Sequence, residues 1–358
     1  MQDAIVRDIK LLMIDEFELE SMEEIPDDAR MGSLGQWDSL AHVRLLIAIQ
    51  EKYLIEFSPE EIALTLSFNS LVMTILQKLA GQSETSMPHM ETASDVWKTL
   101  ISSMWKEDNL RADDTIYIHS RVQAVLEVIN GNIADAIEYL RFGEGGNRTL
   151  VLPAFPFTSA TYNDYITAKA RFCVSSTPAA TGLLPEMILK ENDIRRSAHP
   201  ILSECAIGPK ADWITRDAHL DPHPFHPGST YARLLELDAA MIGLGVDVNT
   251  NAIIHMVDDK LQSLYPFGLY VQEPLEFEIE LPEGMIIRKG YLAYSPDMVK
   301  RIKPRNLRPF FKDCPDILKE IEIEGVWFYR LRIGPFLSRC EEIARQHLAA
   351  GNLPPWFQ

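Results

Sequence analysis

Apolar residues recur three to five positions apart from Asp3 to Phe17, at Ile5, Ile9, Leu12 and Phe17, which is the period of an amphipathic helix. A polar, acidic stretch follows, ELESMEEIPDDARMGSLGQW. The helical pattern resumes at Ser39, with Asp38 as the expected N-cap, and Leu40, Val43, Leu46, Ile47 and Ile49 supply a broad apolar stripe. SPEEI at 58–62 puts Pro59 in a first helical turn behind a capping serine. SFNSLVMTILQKLAG at 67–81 ends on Gly81, a residue suited to a left-handed C-cap. The pattern predicts four helices and one long acidic loop, a small bundle over residues 1–82.

Residues 83–95 have no apolar period and are rich in Ser, Thr and Met, the texture of a linker. Beyond them the pattern changes. DTIYIHS (114–120), RTLVLPAF (148–155) and AAMIGLGV (239–246) are short apolar runs bounded by turn residues, as buried strands are. They alternate with helix-like segments such as DVWKTLISSMWKE, NIADAIEYLRF and LLPEMILKEN. Residues 96–358 are therefore expected to form an α/β domain, and no internal repeat is visible.

Composition sharpens this division. A chain of 358 residues with 46% hydrophobic content can bury two cores. The net charge of −18 argues against nucleic acid as a partner, because phosphate neutralisation needs clustered Lys and Arg. Residues 1–82 hold 15 acidic against 6 basic side chains, so under a quarter of the chain carries half of that charge. Cys173, Cys205, Cys314 and Cys340 show no CxxC pairing and read as reduced thiols. No signal segment or membrane-spanning run appears, so the expected location is the cytoplasm.

LGQWDSL at the start of the second helix carries the first resemblance. With EKYLIEFSPEEI after that helix and the acidic composition, the N-terminal module resembles an acyl carrier protein. The resemblance implies a 4′-phosphopantetheine arm on Ser39, fitted by a phosphopantetheinyl transferase and charged by an acyl-loading enzyme. A phosphodiester at a helix start meets unpaired N–H groups and the positive end of the dipole. The plainer reading of Asp38–Ser39 is a helix cap alone. The second helix, SLAHVRLLIAIQEKY, lacks the acidity usual for a carrier, which fits either a partner that is covalently tethered or simply the style of a carrier subfamily.

IYIHSRV (116–122), RTLVLPAF, TGLLPE (181–186), RRSAHPILSECAIG (195–208), HPGST (226–230) and IGLGVDVNTNAIIHMVDD (242–259) occur in order. Over residues 112–260 these blocks make the second domain resemble the aminoglycoside 3-N-acetyltransferases. The resemblance implies direct attack of an amine on an acyl thioester, normally acetyl-CoA, with His255 as general base. Histidine suits the task because its ordinary pKa lies near the working pH. A carboxylate on its other ring nitrogen would fix the tautomer. The family places a glutamate three residues on, where this chain has Asp258; Asp259 or a more distant Glu is the alternative.

His119 and Ser120 match the loop that approaches the coenzyme, with Arg121 replacing a second serine. His199, Arg196 and Ser203 either line the thioester or acceptor pocket or are structural, and a guanidinium at 196 could grip a phosphate of the arm. Glu186 either meets the acceptor amine or supports residues that do. His219, His223 and His226 sit among prolines without regular ligand spacing, so no metal is expected. Cys205 reads as a buried, inert thiol rather than a nucleophile.

Joined, the modules read as an acyltransferase that carries its own acyl donor on Ser39, with coenzyme A or acyl-CoA as another donor. The expected acceptor is the amine of an amino sugar or related polar compound in glycan or natural-product biosynthesis. Transfer to a hydroxyl, hydrolysis of the thioester, and a non-catalytic carrier or docking role are the alternatives. A flexible linker of this length spans ~20 Å, and delivery within one chain or between two chains of a homodimer is equally open.

Overall fold

The computed structural model describes residues 2–17, 19–26, 29–31, 34, 36–37, 39–53, 55, 57, 65–80, 93–105, 110–129, 133–158, 160–301 and 306–357. The expected N-cap Asp38, the SPEEI helix, Gly81 and most of the linker lie outside them. The chain divides into two compact units, residues 1–93 with 131–134, and 94–130 with 135–358.

The first unit contains helices Gln2–Phe17, Ser39–Tyr53 and Phe68–Ala80 among the described residues. Ile5, Ile9, Met13 and Phe17 recur every four residues and are all buried, which places one face of the first helix in a core with Leu45, Ile49, Leu71 and Ile75. Each such aliphatic side chain removed from water stabilises the unit by about 1.5–3 kcal/mol. Trp37 is fully buried, stands 5.6 Å from the Phe17 ring and donates through Nε1 to His42 Nδ1 at 3.1 Å. Two residues before the helix, this indole ties position 37 to the core of the unit.

Among the described residues of the second unit ten strands follow in chain order: β1 Thr115–Ser120, β2 Thr149–Pro153, β3 Phe172–Cys173, β4 Arg195–Arg196, β5 Glu204–Ile207, β6 Ala240–Leu244, β7 Leu275–Glu280, β8 Ile286–Tyr291, β9 Leu318–Ile323 and β10 Val326–Arg332. Among the described residues one sheet has the order β4-β5-β2-β1-β6-β10-β9, and β3-β7-β8 form a smaller one. At the centre β1 runs parallel to both β2 and β6, with Ile116 opposite Leu150 and Ala240. The outer strands of the large sheet pair antiparallel with their neighbours.

β6 is buried throughout and β1 everywhere but at Ser120, as continuous apolar strands covered on both faces should be. Gly243 is required where β6 meets β10, because an added Cβ would lie 2.0 Å from the Tyr329 ring. The amphipathic helix Ile333–Ala349 covers the sheet with Phe336, Cys340 and Ile343. The parallel centre matters for function, since ligands of open α/β sheets bind beyond the carboxyl ends of such strands. His119 and Ser120 end β1, and the segment that carries His255 leaves the same end of β6.

No described helix is long and apolar enough to cross a membrane, and none of the four cysteines forms a disulfide.

Candidate functional site

After β6 the chain makes two short turns before the helix His255–Lys260. Asp247 accepts the N–H of Asn249 at 2.8 Å, and Asn251 accepts that of Ile253 at 3.0 Å. Side chains that cap backbone N–H groups so close by hold such turns rigid. They deliver His255 at the first position of a helix whose third residue beyond is Asp258, and i,i+3 neighbours share a helix face.

His255 Nδ1 lies 2.8 Å from Asp258 Oδ2. Both groups are buried, at 7% and 1% exposure. The second oxygen, Oδ1, accepts from Tyr265 Oη at 2.8 Å and Trp356 Nε1 at 2.7 Å. Burial and the adjacent Asp258 push the Tyr265 phenol far above its ordinary range, so it remains a donor. Three side-chain donors thus surround the carboxylate. It accepts the Nδ1 proton of His255 and so puts the basic lone pair of that ring on Nε2. Of the carboxylates considered from sequence, Asp258 is the one that meets His255. Asp259 faces His223 at 2.9 Å and Tyr270 Oη at 2.7 Å instead.

Other residues singled out from sequence divide into two groups. His119 is buried at the end of β1 with its ring 5.0 Å from that of Tyr117. An added Cβ at Gly182 would lie 3.8 Å from the Ser120 carbonyl, so the 181–186 segment adjoins the end of β1.

Arg196, Ser203 and Glu186 belong to an internal brace. Arg196 donates through Nε to Ser203 Oγ at 2.9 Å, to the Ala154 carbonyl at 2.6 Å and to the carbonyl of Thr177, while its guanidinium lies 4.9 Å from the Phe172 ring centre. All three nitrogens are used inside the protein, so its placement does not support the phosphate-gripping role. Ser203 Oγ donates to the Ser197 carbonyl at 3.3 Å, and Glu186 accepts the N–H of Ala179. The brace thus clamps residues 177–179 against β4 and β5.

His199 is likewise structural in placement. Its Nδ1 accepts the N–H groups of Ile201 (3.2 Å) and Leu202 (2.9 Å), and its ring packs edge-on to Tyr291 at 4.8 Å. Burial, with smaller repulsion from His226, His219 and His223, lowers its pKa to about 3, which keeps it neutral. His226 binds the Gly228 N–H and the Ala218 carbonyl. Among the described residues no three His, Cys, Asp or Glu side chains are arranged to hold a metal ion. Burial pushes the Cys205 thiol up to about 12, leaving it inert near neutrality.

Several residues escaped the sequence reading. Tyr265 and Trp356, which complete the Asp258 environment, carry no local signal of that role. Glu204 is buried at 1% exposure, and burial raises its pKa to about 8 despite hydrogen bonds from Thr230, Tyr231 and Ser197. An acid inside the apolar run SECAIG was the available sign.

The aminoglycoside 3-N-acetyltransferase family model matches residues 117–300, just over half of the chain. The chain belongs to that family. The His255–Asp258 pair and the three central parallel strands lie within or at the edge of the matched region. An aminoglycoside N(3)-acetyltransferase IV from a Salmonella species is 30% identical over 183 residues, covering 49% of this chain and 61% of that protein. The chain spans about three fifths of the length of the curated relatives it matches.

Among solved structures, a histidine variant of the family member AAC(3)-IVa in complex with a gentamicin superposes with a TM-score of 0.53 at 20% identity, covering 76% of this chain and 97% of that one. The family member AAC-IIIb bound to CoASH gives a TM-score of 0.53 at 18% identity, covering 68% and 94%. These likenesses establish a shared α/β fold.

Proposed function

We propose that the chain is an N-acyltransferase in which His255 takes a proton from an attacking amine while Asp258 orients it. The donor is an acyl thioester on 4′-phosphopantetheine carried by Ser39. The acceptor is an amino sugar or related polar amine in a biosynthetic pathway. The observation that carries this reading is the buried His255 Nδ1–Asp258 contact of 2.8 Å, in a family named for N-acetyl transfer.

The chemistry balances without further groups. As the amine nitrogen bonds to the thioester carbon, its proton passes to His255 Nε2, the C–S bond breaks, and the thiolate leaving group receives the proton. Asp258 stabilises the imidazolium formed between these events.

Three features support Ser39 as the point of attachment. It opens a helix of 15 residues, where unpaired N–H groups suit a phosphodiester. Trp37 is tied to the core two residues before it, and the unit has its own apolar core. A free coenzyme A thioester is the second reading, favoured by the relative bound to CoASH.

Intact-protein mass spectrometry after co-production with a phosphopantetheinyl transferase tests the proposal. The expected result is a gain of one phosphopantetheine that Ser39→Ala abolishes, followed by loss of the acyl load when an amine is added. A chain that gains no such mass yet acylates amines from acetyl-CoA would replace the carrier mechanism with the coenzyme one. An ester product sensitive to hydroxylamine would move the acceptor to a hydroxyl.

A further inference from the structure

Next to the proposed base stands a second histidine–aspartate pair that the transfer chemistry does not use. Asp259 follows Asp258 on the same helix but has different partners. Tyr270 Oη donates to its Oδ1 at 2.7 Å, and His223 Nε2 lies 2.9 Å from the same oxygen. His223 is itself fixed: its N–H donates to Asp221 at 2.8 Å, its Nδ1 accepts from the Phe225 N–H at 3.3 Å, and its ring meets Tyr270 edge-on at 5.3 Å. Tyr270 is therefore held at its hydroxyl and along its ring.

Tyr294 stacks on Tyr270 with centroids 5.7 Å apart and planes within 15°. Its backbone N–H is bound by Tyr162 Oη at 2.9 Å, and its ring lies 5.3 Å from that of His255. Asp258 and Tyr265 are buried, whereas Tyr270 and Tyr294 are each partly exposed. Tyr294 thus stands beside the base, backed by the ring of Tyr270.

We propose that Tyr294, held by Tyr270 and the His223–Asp259 pair, is the platform on which the ring of an amino-sugar acceptor rests while its amine reaches His255. The inference rests on the amine-acceptor reading above and narrows it. The negative face of an aromatic ring attracts both the C–H face of a sugar and a nearby ammonium. Both carboxylates of this helix turn are already occupied by internal donors, so contact with the acceptor at this turn falls to the aromatic ring rather than to a carboxylate. Tyr294 is the contact residue here, and His223, Asp259 and Tyr270 are positioning residues.

The test uses the full chain with two amino alcohols, D-glucosamine and ethanolamine, which differ in the presence of the ring. The donor is acetyl-CoA or the chain acetylated on its own arm. Saturation-transfer NMR of glucosamine supplies a binding readout independent of turnover. Tyr294→Ala, and Tyr294→Leu as a variant that keeps the bulk, should raise KM for glucosamine about five- to tenfold and raise KM for ethanolamine, which has an ammonium but no ring, by a clearly smaller factor. His223→Ala should produce a smaller effect of the same kind. His223→Gln, which still offers an N–H to Asp259, should restore the wild-type value.

Equal shifts for both amines, no preference for glucosamine in the wild type, or identical behaviour of His223→Ala and His223→Gln would overturn the platform while leaving the transfer reading intact. Ring-proton saturation that depends on Tyr294, without acylation of either amine, would sink the transfer reading instead. Absence of both binding and acylation would remove both.

Discussion

Replacing Asp258 by Asn tests the base assignment through hydrogen-bond counting. In the native site Oδ1 receives Tyr265 and Trp356, and Oδ2 receives His255. An amide must choose. With its oxygen toward Tyr265 and Trp356 it satisfies two buried donors, and its NH₂ then faces Nδ1. His255 must accept at Nδ1 and carry its proton on Nε2, the tautomer that cannot take a proton from an amine. The reverse orientation leaves two buried donors without acceptors, at about 1–3 kcal/mol each. The productive form is then disfavoured by about 2–6 kcal/mol, or roughly 30- to 10⁴-fold.

The expected outcome for Asp258→Asn is a fall in kcat within that range, with little change in KM for the thioester. Thiol release followed with a chromogenic disulfide, using acetyl-CoA or the loaded chain as donor and glucosamine as acceptor, measures it. Thermal melting would verify that the variant keeps its fold. A folded variant that loses less than tenfold in kcat would refute the tautomer argument and the role of Asp258 with it.

Three further predictions concern stability. Burial raises Glu204 to about 8, so between its ordinary value and that pH the folded chain holds a proton that the unfolded chain has released. Stability therefore falls as pH rises, by at most about 5 kcal/mol, and Glu204→Gln should melt higher than the wild type at pH 9 but not at pH 4; a pH-independent difference would be inconsistent with this. His199 has the opposite sign of dependence. Lowered to about 3, it resists the proton that the unfolded state accepts, so stability is lost as pH falls below about 6.5, and His199→Asn, which keeps an acceptor for Ile201 and Leu202, should flatten calorimetric stability between pH 4 and 6. Asp114 is buried, which by itself would raise its pKa, but Arg332 at 2.8 Å and Arg111 at 2.8 Å hold the carboxyl below its ordinary range. Its stabilisation is thus present at neutral pH and lost on acidification through the lowered pKa, and Asp114→Asn should cost about 1–3 kcal/mol in chemical denaturation at pH 7, since Arg111 keeps access to water, a cost absent if the ion pairs contribute nothing.

Local patterns foretold local structure. The helix Ser39–Tyr53 and strands β1, β2 and β6 follow from apolar period and the turn residues that bound it, whereas the pairing of His255 with Asp258 is what the family resemblance implies. What the sequence concealed depends on contacts between distant segments. Arg196 looked like a candidate anion grip because its type suits that task, yet three acceptors from separate segments use its guanidinium. His223 and Asp259 are 36 positions apart, and nothing in HLDPHPFHPG announces that its histidine stands beside a tyrosine stack. Tyr294 is an unremarked aromatic in LAYSP until the fold sets it next to His255. Residue type suggests what a side chain can do, but its role depends on the partners that have already claimed its polar atoms.

The bond from Trp356 to Asp258 bridges 98 positions, and this separation has a consequence for biosynthesis. A ribosome adding about 5–20 residues per second needs roughly 5–20 s to travel from one to the other. Throughout that interval Asp258 lacks one of its three donors, and its grip on His255 is incomplete. The third donor to Asp258 is thus supplied by a segment made after every strand of both sheets, so the polar surroundings of the pair close only when synthesis of those sheets is over.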